Sequence, residues 1–260
     1  MRVKTLILLL LALLTCMVSC EKAPLSIGKI ITQSRDIPYF DKVEIYNDIS
    51  LTFVKSDTCY IEITTGEKLI DNISVEVCDS ILTIKNNNML EWIRAYDYTL
   101  HARLYFKDIN HVLISTSGTV NTENQFNSDT IYNPYIGDTL HHTLQYCFEI
   151  DGASGDIDIM LNNCPYLNIL YHYGTAYMNI HGKNNSFLNI SKKSYGIVDA
   201  LDYDVERATV TSNSKGDCYV KVNERLLSRI FSLGNIYYKG EPPYIDERYG
   251  PVAIGKLIHL

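Results

Sequence analysis

From Phe148 to Gly240 apolar residues fall at every second position in short runs, and the runs themselves return about every 20 residues. Side chains of a β-strand alternate between two faces, so each run reads as a strand with one face inward. Every copy has the same form: a short aliphatic strand, a polar turn closed by glycine, and a second alternating strand. The turn glycines are Gly155, Gly174, Gly196, Gly216 and Gly234, at intervals of 19, 22, 20 and 18 residues. Behind them one face carries Ile157, Ile159 and Leu161, then Ala176, Met178 and Ile180, Val198 and Ala200, Cys218, Val220 and Val222, and lastly Ile236 and Tyr238. The positions between them, among them Asp158, Tyr177, Asp217, Tyr219, Lys221 and Tyr237, are polar or aromatic and are expected to face solvent. Ahead of the glycines, Leu167 with Ile169, Leu188 with Ile190 and Ala208 with Val210 mark the shorter strand.

A unit of this size cannot bury its apolar face alone, so copies must stack on a shared core. Helical periodicity and a six-residue aliphatic period are both absent, which leaves an all-β fold, a single-stranded parallel β-helix. In that arrangement Ile157, Ala176, Val198, Cys218 and Ile236 form one interior row. An antiparallel β-sandwich with evenly spaced strands is the alternative.

Residues 35–126 are strand-rich but less regular, with Val43 and Ile45, Leu51 and Phe53, Leu82 and Ile84, and Gly118 resembling the later turn glycines. They read as the N-terminal β region and first rungs of the same stack, with hairpin pairing at its extreme end, since terminal copies must cap the core. Asn86 to Tyr98, with Trp92, reads as a protruding loop or a single helical turn. Residues 127–145 read as a loop insertion, and 146–260 as the regular rungs and a C-terminal cap.

The start of the chain is of another kind. Arg2 and Lys4 precede an apolar stretch from Leu6 to Leu14, and Met17-Val18-Ser19-Cys20 follows. The segment resembles a bacterial lipoprotein signal peptide, spanning residues 1–19 and too short for an ordinary membrane span. The resemblance implies cleavage before Cys20, acylation of that cysteine, a lipidated tether over 20–34, and anchoring to the outer membrane of a Gram-negative envelope, on its periplasmic or its surface face. Cys16 is a weaker competitor, and an ordinary secretory signal is the alternative. The chain holds 23 Lys+Arg and 30 Asp+Glu, a net charge of −7. Loss of Arg2 and Lys4 makes it about −9. The linear sequence displays no basic stripe, which argues against nucleic acid as a partner.

Beyond the signal, Cys59 and Cys78 would face each other if their strands formed a hairpin around Gly66, making them a candidate disulfide in an oxidising compartment. Cys147 and Cys164 lie nearly one rung apart. Buried, unbridged thiols are the alternative for all of these and for Cys218, and no spacing reads as a zinc site.

Arg35-Asp36-Ile37, Phe40, Val43, Ile45, Ile49-Ser50-Leu51-Thr52-Phe53, Leu82-Thr83-Ile84, Ser117-Gly118-Thr119-Val120-Asn121 and the closing Gly234-Asn235-Ile236-Tyr237-Tyr238-Lys239-Gly240-Glu241-Pro242 together resemble the autotransporter-adhesin head GIN domain family of exported bacterial lipoproteins. The likeness covers nearly all of the mature chain. It implies a right-handed β-helix similar to the pectin-lyase architecture, without that group's catalytic residues, and a role in adhesion. Lys193-Ser194-Tyr195-Gly196-Ile197 departs from the family's turn wording, which implies bulged rungs there.

Chemistry is thinly signposted. There is no Gly-x-Ser-x-Gly elbow, no His-Glu-x-x-His and no phosphate loop, so neither catalytic residues nor a cofactor or metal are assigned. The seven histidines are scattered, without acid partners legible in the sequence. Gly152-Ala153-Ser154-Gly155-Asp156-Ile157-Asp158 faintly resembles a calcium-binding turn but does not recur, so solvated carboxylates are the preferred reading. Asp158 and Asp199 occupy equivalent outward positions two rungs apart, roughly 9–10 Å, at or beyond the limit for an inverting glycosidase pair. The 20 tyrosines stand out. Asp158, Tyr177, Asp199, Tyr219 and Tyr237 each fall three positions after a turn glycine and would stack in one column, a binding strip for a glycan or a partner protein. Exposed-strand preference explains the same tyrosines without a ligand. The reading is therefore a non-catalytic, lipid-anchored surface for adhesion or recognition, with a carbohydrate-active β-helix enzyme or a ligand-free structural protein as alternatives.

Overall fold

In the computed structural model the described residues are 27–88, 100–127 and 145–260. The expected signal peptide, Cys20, Trp92 and most of the expected 127–145 insertion lie outside them. The described residues are all-β, apart from a short 3-10 turn, and form 18 connected strands.

The strands sort into two columns joined by in-register pairing. The first column runs β6 (Ile81–Asn86), β2 (Lys42–Asn47), β8 (His111–Thr116), β10 (Gln145–Ala153), β12 (Tyr166–Gly174), the second halves of β13 (Tyr177–Lys192), β14 (Ile197–Ser212) and β15 (Cys218–Ile230), and β17 (Tyr244–Tyr249). The second runs β7 (His101–Phe106), β3 (Ser50–Lys55), β9 (Val120–Thr122), β11 (Ile157–Met160), the first halves of β13, β14 and β15, then β16 (Ile236–Lys239) and β18 (Leu257–His259). Every pairing within the columns is parallel, so the evenly spaced antiparallel sandwich does not describe this chain.

Parallel pairing in register lays like on like. One interior row reads Leu51, Val120, Ile157, Met178, Val198, Cys218, Ile236 and Leu257, fully buried except at its C-terminal end. This corrects the expected row at one place, because Met178 stands where Ala176 was expected. Ala176 is buried two residues earlier, at the corner. Gly174 is the cause. It closes β12 with φ +122° against the Ala153 carbonyl, in a bulged register, and the corner position of that level falls to Ala176. The corner column is thus Gly118, Gly155, Ala176, Gly196, Gly216, Gly234 and Gly255, each two residues ahead of its interior partner.

The other corner is built from asparagine. Asn127 accepts from the Asn162 amide (3.1 Å), Asn162 accepts from the Lys183 amide (2.9 Å), and buried Asn185 accepts from the Cys164 amide (2.9 Å) while donating to the Asp204 carbonyl (3.2 Å). Each side chain satisfies backbone groups of the neighbouring coil that a bend would leave unpaired.

The N-terminal region departs from sequential winding. β2 and β3 are sandwiched between the β6/β7 level and the β8/β9 level, so the chain lays down its first coil, passes beneath it, then crosses back over. The lower end is closed by antiparallel strands. β4 (Tyr60–Gly66) pairs β7 and β1 (Ile30–Asp36), and β5 (Ile73–Cys78) pairs β6. The end of the expected tether is therefore strand, as β1. Since β4 and β5 do not pair with each other, the expected hairpin around Gly66 is absent, and Cys59 and Cys78 are free thiols, as are Cys147, Cys164 and Cys218.

Corner glycines are required by contact. A Cβ on Gly216 would lie 2.2 Å from the Tyr195 carbonyl oxygen and 2.3 Å from that of Gly196, both backbone atoms of the preceding coil. Gly216→Ala is expected to lower stability by roughly 2–3 kcal/mol in a denaturant titration; an unchanged midpoint would show that the coils can slide apart at this corner.

Candidate functional site

The outward face of the second column presents, in register, Asn121, Asp158, Asn179, Asp199, Tyr219 and Tyr237. Four of the five residues expected in this strip are there. Tyr177 is not: the same two-residue shift at Gly174 puts it beside Ile197 and gives its place to Asn179. It is still brought into the site, because its hydroxyl donates to Asp199 Oδ2 at 2.6 Å. That bond, with lesser contributions from burial and from the charge of Asp199, pushes the Tyr177 phenol up to about 12. The second oxygen of Asp199 accepts from the Leu201 amide at 3.0 Å.

One rung pair away, Asp158 Oδ2 sits 3.2 Å from His181 Nε2 and 3.4 Å from the Asn179 amide nitrogen. His181 Nδ1 also lies 3.9 Å from Asp202. These acid partners are not legible along the chain, because they come from levels above and below. On the first column Glu149 likewise bridges His111 (3.3 Å) and His172 (3.1 Å). Beside it a cleft of about 380 Å³ is lined by Lys42, Glu44, Ile81, Asn110, His111, Gln145 and Cys147. Cys147 is the register neighbour of His111. Burial, then the Glu149 charge, raises its thiol pKa, which is the reverse of what an activated nucleophile requires.

Tyr219 and Tyr237 stack with ring centroids 4.8 Å apart and planes 8° apart. The rings stand on the sheet and cover each other's faces, so the strip offers hydroxyl tips and ring edges rather than a flat aromatic platform. Burial raises the Tyr219 phenol pKa, with Asp217 adding to it. Asp158 and Asp199 are separated by Asn179, about two strand spacings or roughly 9.6 Å, at the outer limit of an inverting pair. Among the described residues no group of three or more His, Cys, Asp or Glu side chains is arranged to hold a metal ion. What the strip supplies is a fixed row of hydrogen-bond donors and acceptors facing solvent.

These features define an all-β protein of parallel strand columns with ordered outward ladders. The chain belongs to the family described as "putative auto-transporter adhesin, head GIN domain", which matches residues 39–242. Among solved structures it is similar to a putative adhesin from Bacteroides fragilis (TM-score 0.70, 16% identity, 89% of this chain and 97% of that one). It is also similar to a putative adhesin from Parabacteroides merdae (0.57, 17%, 90% and 97%) and to a putative lipid binding protein from Parabacteroides distasonis (0.58, 18%, 88% and 97%). At these identities the likeness is one of fold. No curated protein matches the sequence.

A folded-state phenol pKa above the unfolded value of 10 means that the Tyr177–Asp199 bond contributes its stability in full below pH 10 and loses it as pH rises through about 12. In Asp199→Ala, the Tyr177 titration, followed by NMR of ring-labelled tyrosine, is expected to fall back toward 10; a titration left near 12 would contradict the bond.

Proposed function

We propose that this chain is a non-catalytic lipoprotein of the cell envelope, a right-handed parallel β-helix anchored through Cys20, whose outward side-chain ladders recognise a glycan or protein partner. The observation that carries the reading is the strip itself. Asp158, Asp199, Tyr219 and Tyr237 are held in one solvent-facing row by the backbone register, with Tyr177 and Asn179 locked onto the carboxylates. Side chains fixed before binding lose little entropy on contact, which is what a recognition surface gains from a rigid scaffold. The right-handed sense is supported by the general hand of strand-crossover-strand connections within one sheet. Family membership supports adhesion as the setting.

Anchoring at Cys20 fits the shape. Ile27 lies at the closed end, where its carbonyl accepts from the Lys68 amide at 3.2 Å, only seven residues after Cys20. The columns are nine strands deep among the described residues and would rise about 40 Å away from that end. Among the described residues no helix is long and apolar enough to cross a membrane.

Two measurements address the two halves of this reading. Cells fed labelled palmitate should incorporate it into the wild-type chain and not into Cys20→Ser; labelling that survives the substitution would remove the anchor. On an array of glycans and matrix proteins, Tyr177→Ser/Tyr219→Ser/Tyr237→Ser is expected to lose at least tenfold in affinity for whatever the wild type retains, and unchanged binding would eliminate the strip.

A further inference from the structure

We propose that the outward face of the first column, toward its C-terminal end, is a binding surface for an acidic polysaccharide, with Arg207, Arg225, Arg229 and Arg248 as the anion-binding groups. The chain has eight arginines, and these four come together on one face of a protein of net charge −7. Arg207 and Arg225 are register neighbours on β14 and β15, and Arg229 and Arg248 are register neighbours on β15 and β17. All four are exposed. Arg248 is held by Asp246 at 2.8 Å. Among the described residues no carboxylate lies within ion-pairing distance of Arg207, Arg225 or Arg229.

Like charges directly opposite on neighbouring strands are destabilising, and here two such pairs are built into consecutive levels of an acidic protein. A bound anion between them would relieve the repulsion and accept from both guanidinium forks, a geometry suited to carboxylate or sulfate. The row continues as an aromatic ladder. The Arg225 guanidinium sits 4.6 Å from the Tyr244 ring centroid, and on the other side Arg207 neighbours Phe187, which stacks on Tyr166 at 5.0 Å. Stacking on a ring fixes the guanidinium plane while leaving its N–H edge free for a ligand.

The groups beside the cations select the polymer. Thr209 and Thr211 on β14, with Asn189 and Ser191 as their register neighbours on β13, are half-buried, outward-facing residues. Amides and hydroxyls set among spaced guanidiniums fit a hydroxyl-rich chain bearing an anion at intervals. They do not fit the continuous phosphates of nucleic acid, which the overall negative charge also repels at long range. The linear sequence concealed this stripe because its members lie 18, 4 and 19 residues apart.

This inference rests on the recognition reading above but places binding on the other column, so the two can fail separately. The experiment measures binding of the purified full chain to polygalacturonate, heparin and neutral dextran at low ionic strength and again near 0.15 M, where surface charge is more strongly screened. Binding to either anionic polymer, weakened by salt, with none to dextran, is expected. Arg207→Gln/Arg225→Gln should cost at least about tenfold in affinity, with a further loss on adding Arg229→Gln. Arg207→Lys/Arg225→Lys, which keeps the charge and loses the fork, should fall between. Thermal melts of each variant check that the fold survives, and the lysine variant keeps the test valid if the glutamine variant unfolds. Failure to bind either anionic polymer, or glutamine variants that bind as wild type, would overturn the assignment. Equal or tighter binding to oligothymidylate or to anionic phospholipid vesicles would overturn the polysaccharide. If the Tyr177/Tyr219/Tyr237 variant alone lost binding, the arginine face would fall while recognition by the strip stood.

Discussion

Close parallel stacking of successive coils is the constraint on which everything else depends. Strands at a spacing of about 4.8 Å leave little room for a side chain at a tight corner, where Ala176 alone carries one in the column from Gly118 to Gly255, and the corner carbonyls press on glycine after glycine: Gly118 on Gly155, Gly216 on Gly234, Gly234 on Gly255. With the corners aligned, the register propagates along both columns. Interior rows then close into a continuous core, in which each fully buried aliphatic side chain contributes about 1.5–3 kcal/mol before the entropy of ordering is subtracted.

Corners also direct polar groups inward, and at the glycine corner several of them are answered by backbone carbonyls. Tyr171 donates to the Ala176 carbonyl at 2.9 Å, and Ser214 to that of Gly216 at 3.0 Å. Lys192, 1% exposed, donates to the carbonyls of Gly196 (2.7 Å) and Asp217 (2.8 Å). Burial lowers the pKa of this ammonium, and two carbonyl acceptors are what make a buried cation tolerable. These inner ties hold the corners that precede Asp199 and Tyr219, so the order of the outward strip is inherited from hydrogen bonds on the inside.

The two ends of the stack differ in kind. The lower end is covered by antiparallel β1, β4 and β5, with Ile61, Ile63 and Ile73 completing the core. The upper end finishes in β17 and β18, each paired on one side only among the described residues. There β17 carries Asp246, Glu247 and Arg248, and exposed Glu247 is the register neighbour of buried Ser228. Charges on an edge strand discourage further strand addition.

Period-two alternation and the recurrence of turn glycine were enough to specify an all-β chain and favoured copies paired in parallel over an antiparallel sandwich, because alternation and turn chemistry are local properties. Gly118 was legible as a corner for the same reason. The places where the sequence misled are those where spacing had to be converted into register. Gly174 looks like the other turn glycines, yet it sits in a bulge, and that one shift removes Ala176 from the interior row and Tyr177 from the strip. Asn162-Asn163 and Asn184-Asn185 marked the second corner in plain view, but only stacking shows what they bond. The strand order at the N-terminus, the unpaired Cys59 and Cys78, the carboxylates beside His111, His172 and His181, and the arginine face all depend on which coil lies next to which. Composition and periodicity determined what each strand is. Tertiary stacking alone decided which side chains meet, because contacts between coils join residues about 20 positions or more apart, and no local pattern fixes the offset to better than a residue or two.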